Sequence, residues 1–495
     1  MKSRISRRSF LRVAGSLAGF AALAACAPSS KSGPGPHGSD SVQLVYQDWS
    51  TDYFAAMARE MLAEFHATHP NIHVFYTPDP PDLSEDMLED FQAQSAPDVF
   101  AGCCDFFPVW AQKGYLLDLQ PYIDAELTQA ERQDWDAAQY RALQLRGGTQ
   151  FGLPKYHGAL ALFYNKDLFD QYGVTYPDST WNHDDYRTAM RSFSSRRPQD
   201  EVNTVWGSMF DVSWDRIQVH VNGWGGHFVD PDDPTKCLMD SFEALDAMQW
   251  LRDRMWGDHA MASRLDVQNL SVTEAFIQGR LAMVEDGSWS LKAVLDGARF
   301  RVGVTTFPAG PARRVTMSTT DGFGIYKHTR YPEAAWEFLK FLIRPGYGRA
   351  MAQAHLLQPA RASLVDEWIG IAREQYPAQT KDMDLAAFAD GHLKGYSVTP
   401  EIFENQHEAR RLTANAWEQI YTLGRAPVSI MQEVAAHINA ANINAAHSRA
   451  AHSRAAHGRA AHDNQAHDGR LPPPAMAPAI QVAPPPAMTE GSRGA

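Results

Sequence analysis

The sequence predicts an α/β protein built on open sheets. Three observations predict it. Strand and helix patterns alternate over residues 42–100, a second run of α/β character covers about 159–345, and the 495 residues are 44% apolar and 21% charged. Such alternation lays helices on the faces of an open sheet. Such a composition marks most of the chain as globular. At roughly 150 residues per domain the length allows two or three domains.

The elements follow in order. Residues 42–46 alternate and are β-rich, which predicts a strand. Residues 54–66 carry Phe54, Met57, Met61, Leu62 and Phe65 at helical spacing and stop before Pro70. Residues 72–76 read as a second strand, 83–94 as a second amphipathic helix and 96–100 as a third strand. Ligands of such sheets sit beyond the carboxyl ends of the strands. The loops opening at Gln47-Asp48-Trp49 and Gly102-Cys103-Cys104-Asp105 are at those ends. Further on, 159–164 has a buried-strand pattern, and 402–442 reads as helices broken between Gly424 and Pro427.

The first 26 residues read as an address rather than as fold. Ser6-Arg7-Arg8-Ser9-Phe10-Leu11-Arg12 matches a twin-arginine export signal. An apolar stretch over 13–25 follows, too short to span a bilayer. It ends in Leu23-Ala24-Ala25-Cys26, the form of a bacterial lipobox, in which the cysteine is lipidated and the preceding peptide removed. Residues 27–41 are a flexible tether rich in Gly, Pro and Ser. The body is therefore expected outside the cytoplasmic membrane, in the periplasm or at the cell surface, held by acyl chains on Cys26. At the other end, 445–495 repeats Ala, His and Arg and then turns Pro-rich, a composition that cannot bury a core and predicts a disordered tail. Its histidines recur every five residues and form no helical stripe, so low-complexity drift is favoured there over a loose, exposed metal affinity.

Net charge is −13, and loss of the five basic residues of the first 25 makes it −18. Nucleic-acid binding needs clustered basic charge and is not expected. The four cysteines show neither CxxC nor metal-ligand spacing. Adjacent Cys103 and Cys104 read as buried free thiols in preference to a strained eight-membered disulfide ring. No metal or cofactor is expected.

Several segments together resemble a known family. They are Pro97-Asp98-Val99-Phe100; Trp110 to Leu119; Gly152-Leu153-Pro154; Phe163-Tyr164-Asn165-Lys166-Asp167-Leu168-Phe169 with Thr180-Trp181; Ala275 to Met283 with Gly287-Ser288-Trp289; and Asp321-Gly322-Phe323-Gly324-Ile325 with Ala334 to Leu339. In order and spacing they resemble extracellular solute-binding proteins of family 1, the carbohydrate receptors of bacterial ABC importers, over about 42–440. The resemblance implies a two-lobed periplasmic-binding-protein fold of type II with the ligand in the interlobe cleft. It places 42–154 plus 322–392 in the first lobe and 156–320 plus 396–440 in the second. Crossings would fall near Pro154-Lys155, Thr320-Asp321 and Lys394-Gly395. It also implies a monomer that hands a sugar to membrane permease subunits.

A sugar site needs aromatic platforms and polar rims. Trp49 fits a stacking platform or rim packing. Asp105 stands where relatives use an aspartate at a strand end, though it also suits a helix N-cap. Trp289 matches a position that stacks sugar in the family. The glutamate some relatives carry after the first crossing is replaced here by Lys155-Tyr156-His157-Gly158. Tyr156 and His157 either substitute for it or serve the hinge. Trp224, in Asn222-Gly223-Trp224-Gly225-Gly226, lies in a cleft-like glycine stretch or a plain turn. Asp321 and Arg361 complete the candidates. Trp110, Trp250, Trp336 and Trp417 sit in helical patterns and are expected to pack, as is Trp181. The rival readings are a lipid-anchored glycan-cleaving enzyme and a receptor for a non-sugar solute. Neither a Gly-x-Ser-x-Gly elbow, an HExxH motif nor a P-loop occurs.

Overall fold

The computed structural model describes residues 41–104, 106–194 and 204–443. The signal segment, Cys26, the tether up to residue 40, Asp105 and the tail from residue 444 lie outside the described residues.

The strands, in order, are β1 (Val42–Asp48), β2 (Ile72–Pro78), β3 (Val99–Gly102), β4 (Leu153–Pro154), β5 (Leu160–Asn165), β6 (Met283–Gly287), β7 (Val302–Thr306), β8 (Thr316–Met317), β9 (Gly322–Ile325) and β10 (Ser397–Val398). One sheet has the order β2-β1-β3-β9-β4, a second has β6-β5-β7, and β8 pairs β10. In the first sheet β1 runs parallel to β2 and β3. β9 enters antiparallel beside β3 and β4, because it returns from the second sheet. The result is a two-lobed α/β fold with one sheet per lobe. No helix among the described residues is long and apolar enough to cross a membrane.

Local sequence explains the frame. The helix Asp52–Thr68 buries Phe54, Met57, Ala58, Met61, Leu62 and Phe65 along one face, the stripe a 3.6-residue period requires. Asp82 caps the helix Leu83–Gln92 by accepting from the Glu85 amide. Every residue of β5 is buried, because helices cover both faces of that sheet. Trp110, Trp336 and Trp417 are in cores as expected, at 0%, 1% and 4% exposure. Trp250 stacks edge-on against His183, and Trp181 packs on the same second-lobe cluster.

One segment departs from the implied layout. Pro359 and Arg361 still bridge to Tyr156 and Trp135 on the first-lobe side. Ala362 and Ser363 also bond to Asp134 of the first lobe, and from the helix Val365–Gln375 onward the chain packs on the second sheet. Phe388 lies 5.4 Å from the Phe163 ring of β5 and 6.2 Å from Trp368. Lys166 Nζ donates to the Asp382 carbonyl at 3.0 Å. Burying Trp368 and Phe388 against β5 draws the chain over well before Lys394-Gly395.

Candidate ligand-binding site

The site is built where β1, β3 and the first crossing converge. β1 ends at Asp48, whose side chain is fully buried, as is that of Lys155 immediately after β4. The two form an ion pair. Asp48 also accepts from the Trp49 amide at 2.7 Å, from Tyr347 at 3.3 Å and from Tyr46. Such saturation is what a buried charge requires. The Lys155 ammonium sits 3.3 Å from the Trp49 ring centroid, a cation–π contact. Trp49 in turn meets Tyr156 edge-on at 5.4 Å.

Asp321 closes this group. Its carbonyl accepts from the Lys155 amide at 3.0 Å. Burial pushes its carboxyl up to about 7, against the pull of the Lys155 ammonium and a Thr319 hydrogen bond. Burial likewise pushes the Tyr156 phenol far up, helped by the charges of Asp321, Cys103 and Cys104. The fold thus brings Trp49, Tyr156 and Asp321 together, with Lys155 and Asp48 between them.

The second lobe answers with Trp289, half-buried just past the end of β6. It packs against the first-lobe cluster that contains Tyr156 and Phe323 and that Trp49 also joins. Gly158 makes the approach possible. A Cβ there would lie 2.8 Å from the Trp289 ring and 2.7 Å from Thr319 Cγ2, closer than real contacts allow. The Arg216 guanidinium sits 5.0 Å from the Trp289 centroid, held by Asp215 at 2.8 Å and Asp286 at 3.6 Å.

Other candidates lie elsewhere. His157 is buried among Asp136 (3.4 Å), Ser318 (3.1 Å) and Gln358 (3.2 Å). Burial lowers its imidazole against the pull of Asp136. Asp136, in turn, would be raised by burial, but hydrogen bonds from His157 and His392 hold it well below the usual carboxylate range. Ligating atoms of Asp136, His157 and His392 lie within 4.8 Å of one another, a donor set of metal-binding type. Trp224 donates to Asp246 at 2.9 Å and packs on His183 and Trp250 inside the second lobe. Arg361 is spent on the carbonyls of Ile343 and Glu131 and stacks 4.8 Å from Trp135. Asp105 lies outside the described residues.

Two adjoining cavities of about 540 and 810 Å³ open between the lobes. They share Ala142 and Arg146 of the first lobe with Thr399, Pro400 and Ile402 of the second. Across them Arg146 donates to the carbonyls of Asp232 (2.9 Å) and Pro231 (2.8 Å), and Gln112 to that of Phe403 (3.1 Å). Thr320 lines the smaller cavity and donates to the Cys104 carbonyl at 3.0 Å. Cys103 and Cys104 are free, as expected, but not both buried: Cys103 is half-buried and Cys104 exposed, because they lie at the strand end facing the lobe junction rather than in a core.

The sequence reading missed Lys155 and Arg216 as site residues. Lys155 had a signal, a cation directly after the Gly-Leu-Pro crossing. Arg216 had none, since it lies inside an otherwise ordinary helix, Trp214–Gly223.

With this geometry in hand, comparison places the chain. It belongs to the bacterial extracellular solute-binding protein family, whose model matches residues 47–349. It is 25% identical over 335 residues to a lipoprotein of Streptomyces antibioticus, covering 65% of this chain and 70% of that one. It is 23% identical over 251 residues to the maltotriose-binding protein of Pyrococcus abyssi, covering 50% of each. Among solved structures, an ABC substrate-binding protein from Listeria monocytogenes in complex with cycloalternan superposes with a TM-score of 0.70 at 23% identity, covering 81% of this chain and 99% of that one.

Proposed function

We propose that this protein is the receptor of an ABC importer, that it captures a sugar or oligosaccharide between its lobes, and that it delivers it to membrane permease subunits. The observation that carries this reading is the meeting of aromatic surfaces from both lobes: Trp49 from the first, Trp289 from the second, and Tyr156 between them at the start of the second lobe, in one cluster. Sugars present apolar C–H faces to such rings and hydroxyls to groups such as Asp321 and Arg216. The names of the maltotriose-binding relative and of the cycloalternan complex support the same ligand class.

The mechanism follows from the geometry. Ligand touches both lobes only when they close, so its differential affinity shifts the open–closed population toward the form that docks on the permease. In this reading the first lobe comprises 42–154 with 322–364, and the second 156–320 with 365–440. His157, hydrogen-bonded between Asp136 and Gln358, stiffens the first crossing rather than touching ligand. Lipid on Cys26 would hold the receptor, as a monomer, at the outer face of the membrane, in keeping with the lipoprotein relative.

Calorimetry with maltotriose, followed by product analysis of the same samples, tests the reading. Saturable binding with intact sugar is expected. Turnover would favour the glycan-cleaving alternative, and failure of a broad sugar panel would favour a non-sugar ligand.

A further inference from the structure

β3 delivers two adjacent cysteines to the edge of the interlobe junction. Their sulfurs face one another at 2.7 Å rather than diverging. Cys104 is exposed and takes φ 57°, in the left-handed region. Its carbonyl is fixed by Thr320, which also lines the cavity. Cys103 senses the charges of Asp321 and Lys155, and Tyr156 senses both thiols, so the pair borders the aromatic group described above. The remaining described thiol, Cys237, is buried in the second lobe and takes no part.

We propose that Cys103 and Cys104 form a reversible disulfide between neighbours, and that the closed ring is a contact surface for the sugar ligand at the lobe junction. The ligand half of this proposal rests on the oligosaccharide reading. The exposed Cys104 thiolate attacks one sulfur of an external disulfide, such as oxidised glutathione, and expels a glutathione thiolate. The Cys103 thiol loses its proton and attacks the Cys104 sulfur of the mixed disulfide, releasing the second glutathione. Two protein thiols are oxidised and one glutathione disulfide is reduced to two thiols. Extracytoplasmic compartments maintain such oxidants. Ring closure replaces two S–H groups with a polarizable apolar face. It also fixes the turn at Cys104 before ligand arrives, which lowers the ordering cost of binding.

The test uses the full chain. After equilibration with oxidised glutathione or with a phosphine reductant, free thiols are alkylated and the protein is digested with trypsin. Residues 60–113 form one peptide carrying both cysteines and no other. The oxidised sample should yield this peptide unalkylated and lighter by two hydrogens, and the reduced sample doubly alkylated. Maltotriose affinity, measured on both samples, should fall about tenfold on reduction. The Cys103→Ser/Cys104→Ser variant should bind like the reduced form whatever the redox state. Full alkylation after oxidation overturns the disulfide. A disulfide with redox-independent maltotriose affinity overturns the contact role alone. A disulfide with maltotriose binding in neither state overturns the contact role together with the oligosaccharide reading.

Discussion

Replacing Asp321 with asparagine should reverse a pH-dependent instability at the second crossing. The carboxyl is 6% exposed and is pushed by burial to about 7, while the Lys155 ammonium and Thr319 pull against it and Asp48 adds repulsion. In the unfolded chain an aspartate titrates near 4. The folded state therefore holds a proton that the unfolded state has released between about pH 4 and 7. Stability from this group is fully present below pH 4 and is lost as pH rises through about 7. At 1.36 kcal/mol per pH unit, the loss approaches about 4 kcal/mol. Asparagine matches the neutral acid in shape, can still accept from Thr319, and does not ionise. Calorimetric melting of both proteins from pH 4.5 to 8.5 measures the effect. The Asp321→Asn protein should melt near the parent at pH 4.5 and higher by on the order of 5–10 °C at pH 8. A gap that is the same at both pH values would refute the reasoning, because the carboxylate would then be as stable folded as unfolded.

Three further outcomes follow. Lys155→Met strands the buried Asp48 carboxylate without its cation and should cost about 3–5 kcal/mol, read from the melting transition, whereas the Lys155→Met/Asp48→Leu pair should recover much of that loss. Gly158→Val places side-chain atoms where the Trp289 ring and Thr319 stand, so it should displace the tryptophan; a drop in maltotriose affinity and a shift in tryptophan fluorescence check it. Cys26→Ala should move the exported protein from the membrane fraction to the soluble one, read by fractionation and immunoblotting.

The alternation over 42–100 was legible because each helix there has one apolar stripe and each strand ends at a proline or a polar turn. The core tryptophans were legible for the same reason. The third crossing was not, since Trp368 and Phe388 mark buried surface without saying which sheet buries it. Among site residues, Trp49 could be proposed because it follows a strand end in polar surroundings, and Trp289 only through the family resemblance, which places a sugar-stacking ring there. Arg361 misled because a buried arginine that satisfies backbone carbonyls has the same local sequence as one that reaches a ligand. His157 and Tyr156 are neighbours, yet one turns into the hinge and the other toward Trp49. That division depends on Asp136 and Gln358, which are distant from both ligand motifs in the chain.

The central claim is that ligand is held by aromatic surfaces from both lobes, and Trp289→Ala tests it most directly. Melting temperature and maltotriose affinity must be measured on the same preparation. Removing a half-buried ring that faces ligand should cost about 1–3 kcal/mol of binding, a roughly ten- to hundredfold weakening, while the melting temperature moves by only a few degrees. A protein that melts far earlier, as a loss of about 3–5 kcal/mol from a core tryptophan would produce, yet binds maltotriose normally while folded, would contradict the account.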